Sequence, residues 1–509
     1  MNENSKRIAK NTLFLYLRQI ITMIVSIYTS RIILKVLGVE NYGIYNLVGG
    51  FVSTFSLLSS TLSVAGQRYL TYEIGKRGNE AKTVFTAIIS IHTILTFIIF
   101  ILLETIGSWF LNYHLNIDPD KITAANIVFQ CSTISFCINI LNIPFNSVIM
   151  AHERMNVFAY ISIYEVFAKL GILYLLQIFN YDRLISYAIL IFLLHISLRI
   201  IYRLYCKSKY PQYTFEFKFN KDLTKKILSF SSWNLIGTSA TLANSQGINI
   251  ITNIYFGVTL NAVRGIAEQI SNAIQSFMSN FMTALNPPII KNYSSSNFDL
   301  MNSQICQGGK YGTFLYWLIA LPLLTETDLI LKFWLETVPL NLSLFIKLSI
   351  IFSLVQSFSQ TLYIGMIATG NIKKYQIIVG LLSFSAFPAT YIMFNLGYGA
   401  EWGYITIIIS SLVCLIARLY LLKGMIPKFS IPNYLIQCIL KSIFIILITY
   451  SLTYYIDTNY REDSIGWLIL YTTFSILINI ITFLIIGLNN KERTLILNLL
   501  RTYILNYKR

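Results

Sequence analysis

Long apolar blocks separated by short polar turns constrain this chain more than any other feature. Thr83–Leu103, Leu184–Leu198 and Leu470–Leu488 are examples, and such blocks recur along all 509 residues. Stretches that approach or exceed about 18 apolar residues with few charges are read as membrane spans. Charged residues make up only 12% of the chain, roughly half the share usual in soluble domains. Backbone exposed to lipid must satisfy its hydrogen bonds internally, so the spans are helices or barrel strands. The blocks are too long for barrel strands of about ten residues and lack strict alternation. The sequence therefore predicts an all-α, polytopic membrane protein.

Fourteen spans are expected, at about 11–37, 42–66, 82–106, 122–149, 155–178, 183–205, 225–253, 260–286, 308–334, 339–367, 374–397, 402–423, 433–456 and 464–488. Their orientation follows from charge. Lys6, Arg7 and Lys10, then Arg68 and Lys76, Arg154, Lys207–Lys226, Lys291, Lys310, Lys373, Lys423 and the basic tail fall on one side. Asp118, Asp120, Asp182, Asp328, Glu336, Glu401, Asp457 and Asp463 fall on the other. Basic loops stay cytoplasmic, so both termini are expected there, which requires an even number of spans. That arrangement also accommodates the formal charge of +17 against an anionic leaflet, and no charged tract suits nucleic acid. The first apolar stretch runs too long for a cleaved signal peptide. The six cysteines form no CxxC and predict neither a metal site nor a disulfide.

The longest hydrophilic connection, Cys206–Asp222, divides the chain. It suggests an N-terminal lobe at 1–205, a linker at 206–224, a second lobe at 225–430, and two added helices with a tail at 431–509. A weak repeat supports the division: Leu37-Gly38-Val39 follows the first span and Phe256-Gly257-Val258 follows the seventh. Two halves of the same topology fit this pattern.

Ionisable groups within spans are costly and mark interiors, wet cavities or snorkelling side chains. Arg18 and Arg31 lie on the first span, about 140° apart around its axis. Glu165 and Lys169 are one turn apart, as are Arg264 and Glu268, a spacing that permits pairing. Lys347 has no carboxylate one turn away and requires a tertiary partner, an anion or the interface. The seventh span carries Asn234, Asn244, Gln246, Asn249 and Asn253. Amides in lipid need partners, and several on one helix suggest an aqueous or sugar-binding cavity. No Walker A sequence, GxSxG or acidic metal pattern appears, so no catalytic residues, metal or other cofactor are expected and the chain does not read as an enzyme.

Several stretches carry a family likeness. They are Leu37-Gly-Val-Glu-Asn-Tyr-Gly-Ile-Tyr45, Ile143-Pro-Phe-Asn-Ser147 running into Ala151-His-Glu-Arg-Met155, and Phe256-Gly-Val-Thr-Leu-Asn-Ala-Val-Arg-Gly-Ile-Ala267. Asn280-Phe-Met-Thr-Ala-Leu-Asn-Pro-Pro-Ile-Ile-Lys291 and Ala368-Thr-Gly-Asn-Ile-Lys373 complete the set. With them the chain resembles the bacterial polysaccharide repeat-unit flippases, the O-antigen and capsule exporters of the multidrug/oligosaccharidyl-lipid/polysaccharide exporter superfamily. The resemblance implies two six-helix lobes in a V around a central cavity, plus two C-terminal helices. It implies movement of a polyprenyl-pyrophosphate-linked oligosaccharide from the inner to the outer leaflet of the bacterial cytoplasmic membrane. Arg18 and Arg31 are then candidates to meet the pyrophosphate, with Glu165, Lys169, Asn244, Gln246, Asn249, Arg264, Glu268 and Lys347 as further cavity candidates. Membrane lipids, a polysaccharide polymerase and chain-length machinery are the implied partners. Coupling to a proton or sodium gradient, or to membrane potential, is left open. A drug/cation antiporter of the same fold is the alternative. It would favour unpaired carboxylates, and the acidic residue that drug exporters carry in the first span is absent here. A membrane polymerase or glycosyltransferase would need a sizeable outward loop.

Overall fold

A computed structural model of the chain describes residues 3–53, 55–76, 80–113, 119–178, 182–213, 220–334, 338–489 and 492–493. Among them every regular element is helical. Asp118, Glu336, residues 214–219 of the linker and the tail from 494 onward lie outside the described residues, as does the side chain of Arg31.

The chain forms two compact units, Arg7–Leu235 and Ile236–Arg509. The first holds α1 (Glu3–Ser53), α2 (Ser56–Gly75), α3 (Ala81–Leu102), α4 (Ser108–Tyr113), α5 (Ile122–Ala151), α6 (Met155–Leu175) and α7 (Arg183–Lys209), and it takes in the start of α8 (Lys221–Ser294). Helix α5 is its centre, packed against α2, α3 and α7. Phe129, Val128 and Ala125 of α5 are buried with Ile99, Leu103 and Leu184. Asp182 caps α7 by accepting from the backbone N–H of Leu184 at 2.8 Å and Ile185 at 3.2 Å, which satisfies donors that a helix start leaves open.

The second unit continues with the rest of α8, then α9 (Phe298–Thr325), α10 (Thr327–Trp334), α11 (Leu342–Thr369), α12 (Lys373–Phe384), α13 (Ala386–Asn395) and α14 (Trp402–Met425). It ends with α15 (Ile431–Tyr434), α16 (Lys441–Tyr460) and α17 (Ile465–Thr482). Helix α11 packs on α9 and α14, and α16 and α17 pack on α9. The bend between α9 and α10 is 74°.

The Gly-Val repeat has a structural counterpart. Gly38 sits at φ 77°, ψ 164° inside α1, and Gly257 at φ 82°, ψ 177° inside α8. That region is essentially reserved for glycine. Each repeat copy therefore breaks a long helix by the same backbone device.

Among the described residues, ten helices are long and apolar enough to cross a membrane, or eleven if the bent α9–α10 pair is one span. The part of α1 after Gly38, helix α2 and the two arms of α8 are helical but fall outside that set. Several boundaries move. The second expected span ends at 66, but α2 runs to Gly75, and Arg68 is a buried helical residue with its guanidinium 4.5 Å from the Tyr69 ring centre. Lys291 likewise lies within α8 rather than in a loop.

Candidate functional site

The second unit contains a cavity of about 360 Å³ walled by both arms of α8 and by α11, α12 and α14. Ligand pockets commonly fall between 300 and 1,000 Å³. Asn244 enters from the first arm, while Asn272 and Gln275 enter from the second. Gln356 comes from α11, and serines from α8, α11, α12 and α14 line the cavity together with Leu242, Phe352, Tyr404 and Ile407. Ser271 and Ser353 hydroxyls lie 2.7 Å apart, and Gln356 Nε2 donates to Ser411 Oγ at 3.4 Å. Small hydroxyl-bearing residues allow helices to approach closely and to hydrogen-bond across the contact.

The cavity's charges are paired. Arg264 Nε donates to Glu268 Oε1 at 2.9 Å, with the arginine 2% exposed. The guanidinium also lies over Tyr404, 5.1 Å from its ring centre. Gly403 leaves room for this arrangement, since a Cβ there would stand 3.2 Å from Arg264 Nη1. The i,i+4 spacing thus gives the pair that it permits, and the structure adds an aromatic face. Asn244 is 5% exposed and its Oδ1 has no hydrogen-bond partner among the described residues.

Gln246 and Asn249 do not line this cavity. They follow Asn244 by about 200° and 140° of helical rotation, so one helix cannot direct all three amides inward. Gln246 is exposed and Asn249 half-buried. Conversely, Asn272, Gln275 and Gln356 line the cavity without having stood out in the sequence. Each is a single polar residue in a span, and only helix packing brings them together.

The other candidates lie elsewhere. In the first unit, Lys169 Nζ donates to Glu165 Oε1 at 2.6 Å, both side chains about a third exposed. Arg18 is half-buried with its guanidinium 4.8 Å from the Phe158 ring centre, and Tyr202 stands near both Arg18 and Glu165. In the second unit, Lys347 meets Asp328 at 3.4 Å, a tertiary partner that helix spacing could not reveal. A smaller cavity of about 170 Å³ in the first unit is lined by Tyr45, Ser132, Ser135, Asn139 and His195 among others. Glu104, which no motif or spacing in the sequence marks, sits in a π-helical turn of the first unit and accepts from Gln130 Nε2 at 2.9 Å. No group of metal-ligating side chains is present among the described residues.

Residues 8–293 match a family model described as polysaccharide biosynthesis protein. No curated protein matches the chain. Among solved structures, the chain is similar to a multidrug resistance MATE family transporter of the MOP superfamily in an outward-facing conformation. The TM-score is 0.68 at 15% identity, over 83% of this chain and 98% of that one. A MATE in the straight conformation gives 0.70 at 15% identity, over 83% and 96%. A MOP superfamily transporter from Pyrococcus furiosus, whose binding pocket is described as having reverse polarity, gives 0.65 at 15% identity, over 83% and 98%. These likenesses are likenesses of fold. The family match spans more than half of the 509 residues, so the chain belongs to the polysaccharide biosynthesis protein family, as a multi-pass membrane protein with the fold of the MOP-superfamily transporters.

Proposed function

We propose that the protein carries a polyprenyl-pyrophosphate-linked oligosaccharide from the cytoplasmic to the outer leaflet of a bacterial membrane, for surface polysaccharide assembly. The observation that supports this most is the lining of the second-unit cavity. It presents amides and hydroxyls, with its one carboxylate engaged by Arg264. Sugar hydroxyls both donate and accept, which amides and hydroxyls match. A cationic drug would instead favour a carboxylate without a basic partner, and Glu268 lacks that freedom. The family assignment points the same way. Arg18 fits a diphosphate contact, since its guanidinium offers a fork to phosphate oxygens and lies half-buried within the span. Lys347, paired with Asp328 at 3.4 Å, is a second candidate for that contact.

Asn244→Leu and Gln275→Leu test the reading. Asn244 Oδ1 has no partner to lose, so an apolar residue of similar size should not lower protein abundance. In a strain dependent on this protein, each variant should cut surface polymer at least tenfold and trap the lipid-linked repeat unit on the inner leaflet. Sensitivity to cationic drugs should stay constant. Normal polymer in the deletion strain, with altered drug sensitivity, would replace this reading by drug antiport.

A further inference from the structure

At the N-terminal end of α1, the first unit holds a second charged cavity of about 280 Å³. Its walls include Arg7, Lys10 and Asn11 of α1 and the His152–Arg154 corner between α5 and α6. Three cations face one carboxylate there. Glu153 is that carboxylate, buried and 2.6 Å from Arg7 Nε. Lys10 and Arg154 make no ion pair among the described residues, so positive charge is in excess.

Four further features belong to a built site. Asn11 is 5% exposed, lines the cavity, and carries a buried Nδ2 with no hydrogen-bond partner among the described residues. A buried donor left open costs free energy of about 1–3 kcal/mol, and an acceptor in the cavity would relieve it. Glu153 holds φ 58°, a left-handed conformation uncommon outside glycine and concentrated at ligand sites. Helix α6 begins beside the cavity at Met155 with no side-chain cap, so its N-terminal N–H groups and dipole favour an anion. The His152 wall is fixed: its ring stacks on Tyr210 at 4.3 Å and its Nε2 lies 3.0 Å from Tyr213 OH.

We propose that this cavity binds a phosphoryl anion, a phosphate or diphosphate group, held by Lys10, Arg154 and the Asn11 amide with Arg7 oriented by Glu153. The group could come from a lipid headgroup at the membrane surface or from a free anion. The site is built from first-unit residues and the sugar cavity from second-unit residues, and the proposal does not depend on the proposed transport reaction.

The test uses the full-length protein in nanodiscs of phosphatidylcholine, titrated with inorganic pyrophosphate by calorimetry. A second arm measures retention of phosphatidylglycerol by native mass spectrometry, with and without pyrophosphate. Lys10→Glu and Asn11→Asp place negative charge at the cavity, and Asn11→Asp conserves shape. Thermal unfolding confirms that each variant is folded, and Lys207→Glu, outside the cavity, is the control. Binding of either probe that weakens at least tenfold in both variants and persists in the control supports the site. Calorimetric binding identifies a free anion as sufficient, whereas lipid retention that pyrophosphate does not displace identifies a headgroup. Absence of binding by both probes, or binding unchanged in both folded variants, overturns it.

Discussion

Glu492 Oε2 lies 2.8 Å from Lys310 Nζ and 2.8 Å from the backbone N of Asn489. Lys310 is 3% exposed and Glu492 11% exposed, so the pair is largely withdrawn from water. Burial pushes the Glu492 carboxyl up, but its bonds to Lys310 and to the Asn489 backbone outweigh that and hold it below the ordinary value. A depressed carboxyl stabilises the fold above its unfolded pKa, about 4.3 for glutamate, and that contribution is lost as pH falls through the folded value. Thermal unfolding in detergent should therefore show wild type losing stability below about pH 4. Glu492→Ala should be less stable by about 3 kcal/mol at pH 7, because it leaves a buried ammonium uncompensated, and the gap should narrow at low pH. Equal stability of the two proteins at pH 7 would remove this pair from the fold's support. The sequence placed Lys310 at a basic membrane edge and could not anticipate its partner 182 residues away. Arg264–Glu268 and Glu165–Lys169 were legible because a helix fixes neighbours four residues apart. Lys310–Glu492 and Lys347–Asp328 were not, since their geometry arises from packing between elements.

At the scale of elements, the two Gly-Val junctions were legible and the helix ends less so. A repeated motif identified Gly38 and Gly257, and their backbone angles agree within 13° in ψ and 5° in φ. Among the described residues nothing lies within 4 Å of a Cβ built at either position, so a substitution there is opposed by backbone conformation. Gly38→Ala and Gly257→Ala should each destabilise by about 1–3 kcal/mol. Gly171 offers the contrast, with equal open space but a helical backbone inside α6. There alanine should be neutral or stabilising by up to about 1 kcal/mol. Melting temperatures of the three variants separate the effects, and a Gly38→Ala protein as stable as Gly171→Ala would show that the junction relaxes freely. Helix ends were harder to read because α2 and α8 continue through residues whose charge suggested loops. Arg68 is accommodated in α2 between the rings of Tyr69 and Tyr72, at 4.5 Å and 4.8 Å. Aromatic faces accept a guanidinium, which a rule based on charge in loops does not anticipate.

For the whole molecule, the apolar blocks announced a multi-pass helical membrane protein, but the polar spans needed the structure. Among the described residues, ten or eleven helices are long and apolar enough to cross a membrane. Among the described residues, the end of α1 after Gly38 taken with α2, and the arms of α8 on either side of Gly257, are the remaining helical stretches of spanning length. They are rich in polar residues, some of which face the second-unit cavity, as Asn244 and Asn272 do, while others such as Gln246 are exposed, and this polarity lowers their hydropathy. If the bent α9–α10 pair is one span and each of these also crosses once, the crossings number fourteen and both ends of the chain share one side. Basic residues favour the cytoplasmic side, which places Lys209 at the end of α7 and Lys423 near the end of α14 inside. Asn459, at the end of α16, then lies outside. All three side chains are exposed, while five native cysteines are buried and Cys131 is half-buried, so engineered cysteines should dominate the labelling. In intact cells a membrane-impermeant maleimide should label Asn459→Cys and leave Lys209→Cys and Lys423→Cys unlabelled until the membrane is opened. Labelling of Lys423→Cys together with Asn459→Cys from outside would mean that α16 does not cross. Labelling of Lys209→Cys and Lys423→Cys with protection of Asn459→Cys would invert the entire arrangement, and the phosphoryl-anion cavity at the start of α1 would then face the opposite compartment.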